Sequence, residues 1–378
     1  MKKKLSLYIH IPFCARRCGY CNFVTFVEKE NYMFDYVDCL IKEMKLYSKK
    51  TQDHVVQSVY VGGGTPSYLH SGLMLKIFKA LKENFKFLRN AEITIEANPN
   101  SLTVEKLEEY KACGVNRLSI GAQTCNNHIL KDIDRLHNFD DFKLALELAQ
   151  GNGFENISVD MLLGLPKQKK SDVMKMLKYL VSHEVKHISA YSLILERGTP
   201  MFNKVSSGKV SLPSEDKTVD MYNAVYKYLA KKGFKRYEVS NFAIPDYECI
   251  HNTVYWTMAE YIGLGVAAHS YFGGDRFANT NNLDDYITKL DSKKSPVVDK
   301  ETLTIEEQRE ETIMLSLRTS KGINIEAFNQ KFHCNLLEDK KEEVLFLLTN
   351  RFIIIERGFL RLAENAFYVL NSVVQKLI

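Results

Sequence analysis

The stretch LSLYIHIPFCARRCGYC, residues 5–21, joins a strand-forming run to three cysteines, Cys14, Cys18 and Cys21, that lie within eight residues. Lysines precede the run as in a signal peptide, but His10 and Pro12 interrupt it and no small-residue cleavage site follows. We therefore predict a strand at residues 5–11. The other five cysteines are scattered, so the eight do not suggest a disulfide framework, and a local cluster in a reducing compartment indicates metal binding or redox chemistry.

Working outward from this strand, β-type runs alternate with amphipathic helical stretches as far as residue 192. We predict strands at residues 5–11, 57–61, 92–96, 116–121, 156–162 and 187–193. Between the first two, Met33, Phe34, Val37, Leu40, Ile41 and Met44 recur at helical spacing. Because six βα units fall short of eight, the expected fold is α/β: a partial (β/α)6 TIM-like barrel, open along one side, followed by a smaller α+β C-terminal domain.

The unusual motifs all lie at the ends of predicted strands. In chain order they are the cysteine loop, Gly62-Gly63-Gly64-Thr65-Pro66, Glu96-Ala97-Asn98-Pro99, Gly121-Ala122-Gln123, Asp160 with Gly164-Leu165-Pro166, and Tyr191 with Ser192. Barrel enzymes carry their reactive groups at the rim where parallel strands pass into loops. The sequence therefore predicts a functional site at this rim.

The rest of the chain has a different pattern. After residue 195 we predict mixed helices and loops; from Thr304, which forms a capping-box pattern with Glu307, we predict two helices, a hairpin at 352–356 and 359–362, and a final helix. The expected organisation is a barrel with the cluster loop over residues 1–195, a barrel-flanking segment over 196–300 and a small helical or winged module over 301–378.

Composition excludes several classes of protein. With 378 residues, 45% hydrophobic and 26% charged, the chain has the composition of a globular protein. A net charge of +5, from 51 basic and 46 acidic residues, is too small to indicate a nucleic-acid partner. No window of eighteen apolar residues occurs, so we expect no membrane span and a cytoplasmic location.

The spacing Cys14-x-x-x-Cys18-x-x-Cys21 offers three thiolates from one loop. Iron–sulfur clusters take such soft ligands, normally four, and three would leave one iron open to a substrate or cofactor. The alternative is a zinc site with His10 as the fourth ligand; it is disfavoured because an extended strand would direct His10 along the strand. The glycine run is not a phosphate loop, because no Gly-Lys-Ser/Thr follows it.

The cysteine spacing, its setting in Tyr8-Ile9-His10-Ile11-Pro12-Phe13-Cys14, and Gly62-Gly63-Gly64-Thr65-Pro66 resemble the radical S-adenosylmethionine (SAM) superfamily. More narrowly, nearly the whole chain resembles the oxygen-independent coproporphyrinogen III oxidase-like group. The resemblance implies a 4Fe-4S cluster on Cys14, Cys18 and Cys21, whose open iron is chelated by SAM. One electron from the reduced cluster would then cleave the sulfonium to give a deoxyadenosyl radical.

The resemblance also implies a set of SAM contacts. Tyr20 is similar to the aromatic residue that packs on the adenine, and Tyr8 would lie near the cofactor. Gly63, Gly64 and Thr65 match the loop that meets the methionine amino group, where glycine permits close backbone approach. The polar contacts to the ribose, the methionine carboxylate and neighbouring groups are matched by Glu96, Gln123, Arg135 and Asp160.

The group includes coproporphyrinogen III dehydrogenases and heme chaperones that resemble them. The dehydrogenases have a fourth cysteine where this chain has Phe23, and an N-terminal arm that we do not expect here because the first strand begins close to Met1. Residues 251–256, HNTVYW, resemble the HNxxYW signature of the chaperones, which implies His251 as an axial heme ligand. By residue type alone a packing role for His251 is favoured, and His10, His54, His269 and Cys249 remain competing ligands.

The expected function is therefore that of a heme chaperone which binds a 4Fe-4S cluster, SAM and heme, with no residue assigned a catalytic role. Expected partners are heme, heme-accepting respiratory or membrane proteins, and an electron donor such as flavodoxin or ferredoxin; peripheral membrane contact and a homodimer are left open. The nearest alternative is oxidative decarboxylation of coproporphyrinogen III. A DNA-binding iron–sulfur sensor is disfavoured, because acidic residues at 338, 339, 342 and 343 in the candidate recognition helix would be repelled by phosphate.

Overall fold

The computed structural model describes residues 2–378, and their amino-terminal half alternates strands with helices. The strands are β1 (Lys3–Ile11), β2 (His54–Gly63), β3 (Phe87–Ala97), β4 (Arg117–Gln123), β5 (Ile157–Leu163) and β6 (His187–Ser192). The helices are α1 (Met33–Ser48), α2 (Leu73–Asn84), α3 (Val104–Cys113), α4 (Asn127–Asp132), α5 (Phe139–Gly151) and α6 (Lys170–Ser182). Strands β1 to β6 pair in parallel in chain order, which confirms the six predicted strands and the partial barrel.

A two-residue alternation distinguishes the faces of these strands. In β1, Leu5, Leu7 and Ile9 are fully buried in the main core, which also contains apolar residues of the helices. The residues between them face the barrel interior: the Ser58 hydroxyl of β2 donates a 2.7 Å hydrogen bond to Ser6, and the rings of Tyr8 and Tyr60 stack 6.5 Å apart. The barrel interior is consequently polar, and its outer face is apolar.

The sheet extends beyond the six predicted strands on both sides. On one side are β7 (Lys235–Arg236) and β8 (Asn241–Ala243); on the other are β9 (Tyr261–Leu264), β10 (His269–Phe272), β11 (Asp275–Asn279) and β12 (Val297–Thr302). Within residues 2–378 the order is β12-β11-β10-β9-β1-β2-β3-β4-β5-β6-β8-β7. The helices of this region are α7 (Pro200–Ser206), α8 (Glu215–Lys231), α9 (Ile250–Trp256) and α10 (Leu283–Asp291).

These additional strands correct the prediction of mixed helices and loops after residue 195. Strand β9 pairs in parallel with β1, and β8 pairs antiparallel with β6, so both exposed edges of the predicted sheet are covered. Each added strand has two to six residues, too few for an alternation pattern to be recognised in the sequence. Their strand conformation depends on the edges that they meet.

The C-terminal region has its own core. It contains α11 (Ile305–Ser316), β13 (Ile323–Asn324), α12 (Ile325–Phe332), α13 (Leu336–Asp339), α14 (Lys341–Thr349), β14 (Ile353–Glu356), β15 (Phe359–Leu362) and α15 (Leu370–Leu377). The predicted capping box is present, with Thr304 Oγ1 accepting from Glu307 N at 3.2 Å, and the predicted hairpin is β14–β15. No helix among residues 2–378 combines the length and the apolar composition needed to cross a bilayer.

Candidate cofactor site

The three clustered cysteines lie on the loop that leaves β1. Cys14 is buried, whereas Cys18 and Cys21 are half-buried. The loop folds back on itself: Cys14 N donates to Phe26 O at 3.0 Å, and Phe26 N donates to Pro12 O at 2.7 Å. Cys21 N donates to Cys18 O at 3.1 Å. The backbone therefore holds all three thiols near the carboxyl end of β1.

Two of the predicted cofactor contacts touch the cysteines directly. Thr65 Oγ1 lies 3.3 Å from Cys14 Sγ, and Arg135 Nη1 donates to Cys18 Sγ at 3.5 Å. Arg135 Nη2 also donates to Gly121 O at 2.6 Å, at the end of β4. Burial raises the pKa of Cys14 to about 11, so the cluster-free thiol is protonated and cluster binding must release that proton.

His10, the fourth ligand of the zinc alternative, has both ring nitrogens engaged. Nδ1 lies 3.0 Å from the Tyr8 hydroxyl, and Nε2 lies 3.0 Å from Val24 O. Its imidazole thus ties β1 to the end of the cysteine loop. Within residues 2–378, no three His, Cys, Asp or Glu side chains converge on a position for a single ion. Three thiols spaced along one loop suit a 4Fe-4S cluster, in which each cysteine binds a different iron.

The glycine run follows β2 and lies against β1. Gly63 has φ +107°, and a Cβ there would lie 2.4 Å from His10 Nδ1. A Cβ on Gly64 would lie 2.8 Å from Ile11 O, to which Gly64 N also donates at 2.8 Å. The contacts with β1 alone therefore require glycine at both positions, whether or not a cofactor also approaches the loop.

Glu96 and Asp160 are neighbouring acceptors at the rim. Glu96 Oε1 accepts from the Tyr60 hydroxyl at 2.9 Å, and Oε2 accepts from Gly63 N at 3.2 Å. Burial, together with the negative charge of Asp160, raises the pKa of Glu96 to about 7. The Asp160 carboxylate accepts from Ser119 Oγ at 3.2 Å, and burial raises its pKa as well. Such a pair can accept hydrogen bonds from ligand hydroxyl or ammonium groups.

Gln123, Tyr20 and Arg135 complete the predicted set. Gln123 has φ +63° and follows a bulge in the β4–β5 pairing, a strained position of the kind found at functional sites. Tyr20 packs against a small apolar cluster that includes Ile133 and Met201. The buried Nε of Arg135 has no hydrogen-bond partner within residues 2–378, so a donor remains for a ligand carboxylate. These side chains fit SAM, because the unpaired Nε of Arg135 can donate to its carboxylate.

His251 makes no hydrogen bond with the clustered cysteines among residues 2–378. It is 1% exposed and lies on α9, with Nδ1 3.0 Å from Ser58 Oγ and Nε2 2.9 Å from the Tyr255 hydroxyl. Its ring stacks on Tyr60 at 5.3 Å. Burial lowers the pKa of His251 to about 3, so the imidazole is neutral. With both nitrogens occupied, His251 has none free for iron in this structure.

Two residues outside the sequence motifs, Tyr60 and Glu92, organise this interior. Tyr60 contacts Tyr8, Glu96 and His251, and Glu92 accepts from Ile250 N and His251 N, both at 2.9 Å, at the start of α9. Polar residues at alternate positions of β2 and β3 are the sequence signal that could have identified them. In a strand, such alternation marks a polar face.

Comparisons with known proteins first identify the class. Residues 8–180 match the radical SAM superfamily, and residues 303–369 match the HemN C-terminal domain. The solved structure of coproporphyrinogen III oxidase HemN from Escherichia coli, described as a radical SAM enzyme, has a TM-score of 0.86. The alignment covers 100% of this chain and 90% of that one at 23% identity, so it shows a shared fold. Fold and cysteine loop together are those of a radical SAM protein.

Relatives that match over most of the chain identify the family within this superfamily. The heme chaperone HemW of Lactococcus lactis is 34% identical, covering 100% of this chain and 98% of the relative. HemW of Bacillus subtilis is 34% identical, covering 97% and 95%. A mitochondrial radical S-adenosyl methionine domain-containing protein 1 from Danio rerio is 33% identical, covering 98% and 86%. The chain belongs to the HemW family of radical SAM proteins, and membership of that superfamily implies a 4Fe-4S cluster and SAM.

Proposed function

We propose that the protein is a heme chaperone, which binds heme and passes it to acceptor proteins. The observation that carries this proposal is similarity over the full length to proteins named heme chaperone HemW. Phe23 at the position of the dehydrogenases' fourth cysteine agrees with it.

Cys14, Cys18 and Cys21 would hold the cluster, and SAM bound beside it would supply radical chemistry. Gly63, Gly64 and Thr65 would form the loop that meets the methionine amino group, and the unpaired Arg135 Nε would be available to donate to the carboxylate. Glu96, Gln123 and Asp160 provide the remaining polar contacts, Tyr20 packs on the adenine, and Tyr8 lies beside the cofactor. Because Arg135 also contacts Cys18, the SAM contacts and the cluster loop share one side chain.

The partners of this function are heme, heme-accepting respiratory or membrane proteins, and an electron donor such as flavodoxin or ferredoxin. We place the protein in the cytoplasm, with transient contact at the membrane where the acceptors lie. We also propose that residues 1–195, 196–300 and 301–378 act as barrel, barrel-flanking segment and C-terminal module.

The second candidate is oxidative decarboxylation of coproporphyrinogen III, which the shared fold with the HemN oxidase favours. Cluster-reconstituted protein is incubated anaerobically with SAM and reductant and offered coproporphyrinogen III and heme in parallel. Porphyrin products and heme absorbance are then followed together. Stable heme binding without decarboxylation supports the chaperone, whereas protoporphyrinogen formed over many turnovers establishes the dehydrogenase instead.

A further inference from the structure

A cavity of about 560 Å³ opens beside the cysteine loop. Phe23 of that loop, Tyr8 of β1, Tyr255 of α9, Tyr261 of β9 and His269 of β10 line it. Its volume falls within the range of small-molecule sites, about 300–1,000 Å³. Of the residues assigned to SAM, Tyr8 alone belongs to the lining described for this cavity. The cavity therefore offers a site that the SAM contacts leave largely free.

The cavity wall is rich in aromatic rings. Tyr255 and Tyr261 meet edge to face, with ring centroids 4.8 Å apart and planes at 85°. Phe23, which is 63% exposed, adds its ring to the same wall. Aromatic walls favour a flat, conjugated ligand, because ring faces and edges pack well against it. The exposed amides of Asn22 and Asn281, also in the lining, can donate to carboxylates on such a ligand.

Among the candidate iron ligands, most are already engaged elsewhere. His10 and His251 are buried, and each has both ring nitrogens in hydrogen bonds. His54 is buried with Nε2 3.0 Å from Glu260 Oε2, and Cys249 is buried with Sγ 3.3 Å from Glu92 Oε1. Iron ligation by any of these four would require an existing contact to break.

His269 differs from the other four. Its side chain is exposed and lines the cavity, and within residues 2–378 its imidazole has no hydrogen-bond partner. The next residue, Ser270, is buried and accepts from Gly263 N at 2.9 Å, so the strand alternation directs His269 to the cavity face. Imidazole is a common axial ligand of heme iron.

We propose that this cavity is the heme site and that the imidazole of His269 is the axial iron ligand. The proposal rests on the heme-chaperone function and assigns its site. The porphyrin packs against Phe23 and Tyr255, with its propionates toward Asn22 and Asn281. His251 is then a positioning residue that holds Tyr255 and Tyr60 in place and does not touch the iron.

The test is a titration of hemin into anaerobically purified full-length protein, following the Soret band. Variants are His269→Ala, His251→Ala and, as a matched control, His128→Ala, an exposed histidine on α4. We expect His269→Ala to weaken heme binding by at least about tenfold and to shift the Soret band, with added imidazole restoring the wild-type spectrum. His128→Ala should match wild type. Phe23→Ala should weaken binding and leave the ligand spectrum unchanged.

Two results would overturn the assignment. The first is wild-type affinity and spectrum in His269→Ala. The second is loss of the Soret band in His251→Ala at unchanged thermal stability, which would make His251 the ligand. Both leave the chaperone function intact. Failure of the wild-type protein itself to bind hemin would instead refute the proposed function.

Discussion

The Tyr60 hydroxyl donates a 2.9 Å hydrogen bond to Glu96 Oε1, and the same Tyr60 ring stacks on His251. Tyr60 thereby connects the rim, where the predicted cofactor contacts lie, to α9. His251 is held in turn by Ser58 of β2 and Tyr255 of its own helix. The HNxxYW segment is thus linked through Tyr60 to Glu96 of the candidate SAM site, and a substitution in either is expected to affect the other.

SAM affinity should depend on pH through Glu96. Its pKa of about 7 is raised by burial and by Asp160, so the carboxyl group is largely neutral below pH 7 and ionised above it. Ligand donors favour the ionised form, so SAM should bind several-fold more tightly at about pH 8 than at about pH 6. Equilibrium dialysis of the reconstituted protein measures this dependence.

Glu96→Gln should bind SAM more weakly and lose this pH dependence, because an amide does not ionise in that range. Glu108→Gln, at an exposed position on α3, is the matched control and should keep the wild-type profile. A pH dependence that persists in Glu96→Gln would show that another group titrates.

Gly63→Ala should destabilise the protein by about 1–3 kcal/mol or more, because Gly63 has a positive φ and a Cβ would meet His10 Nδ1 at 2.4 Å. The matched control is Gly208→Ala, which separates the effect of the positive φ from that of the close contact. Gly208 also has a positive φ, +72°, but a Cβ there has no neighbour within 4 Å among residues 2–378. Urea unfolding should show the larger loss for Gly63→Ala. Equal losses would mean that His10 moves aside at no cost.

Burial of His251 should make the protein acid-sensitive. Its folded pKa of about 3 lies below the usual 6.5, so the folded state binds fewer protons than the unfolded state between these values. The stability that the neutral, buried imidazole contributes is present above about pH 6.5 and is lost as pH falls toward about 3. His251→Asn should therefore reduce the slope of unfolding free energy against pH between about pH 5 and 7, measured by urea titration.

The matched control for this prediction is His128→Asn at an exposed site, which should retain the wild-type slope. His10, His137 and His187, whose pKa values burial also lowers, remain in both variants, so the expected effect is partial. An unchanged slope in His251→Asn would assign the acid sensitivity to them.

Arg135→Met should destabilise the cluster, because the substitution removes the donor to Cys18 Sγ and the link to Gly121 O. Hydrogen bonds to cluster sulfurs help set cluster properties. We expect faster loss of cluster absorbance under a chelator and weaker SAM binding. Arg89→Met, at an exposed position, should behave as wild type. Equal rates of cluster loss would limit Arg135 to a role in SAM binding.

Local patterns made much of this fold and site predictable. The six parallel strands could be placed because each carries enough consecutive strand-forming residues, and the cysteines could be grouped because they lie within eight residues. The location of the site could be predicted from topology, because parallel strands bring their carboxyl ends to one rim. Thr65 lies beside Cys14 at this rim, whereas the contact of Arg135 with Cys18 follows from no strand-end motif, and the sequence could not show which atoms touch.

The sequence by itself determined the class of fold, the cluster loop and the identity of the rim, because these depend on short-range spacing and period. Only the tertiary structure decided that β9 completes the edge beside β1, since four residues become a strand when an unpaired edge is available. It also decided which of the histidine nitrogens are engaged in hydrogen bonds. Ser58 lies 193 positions from His251, yet it occupies one of that imidazole's nitrogens, whereas His269 faces a cavity built from distant segments. Whether an imidazole nitrogen is engaged or free depends on such long-range contacts.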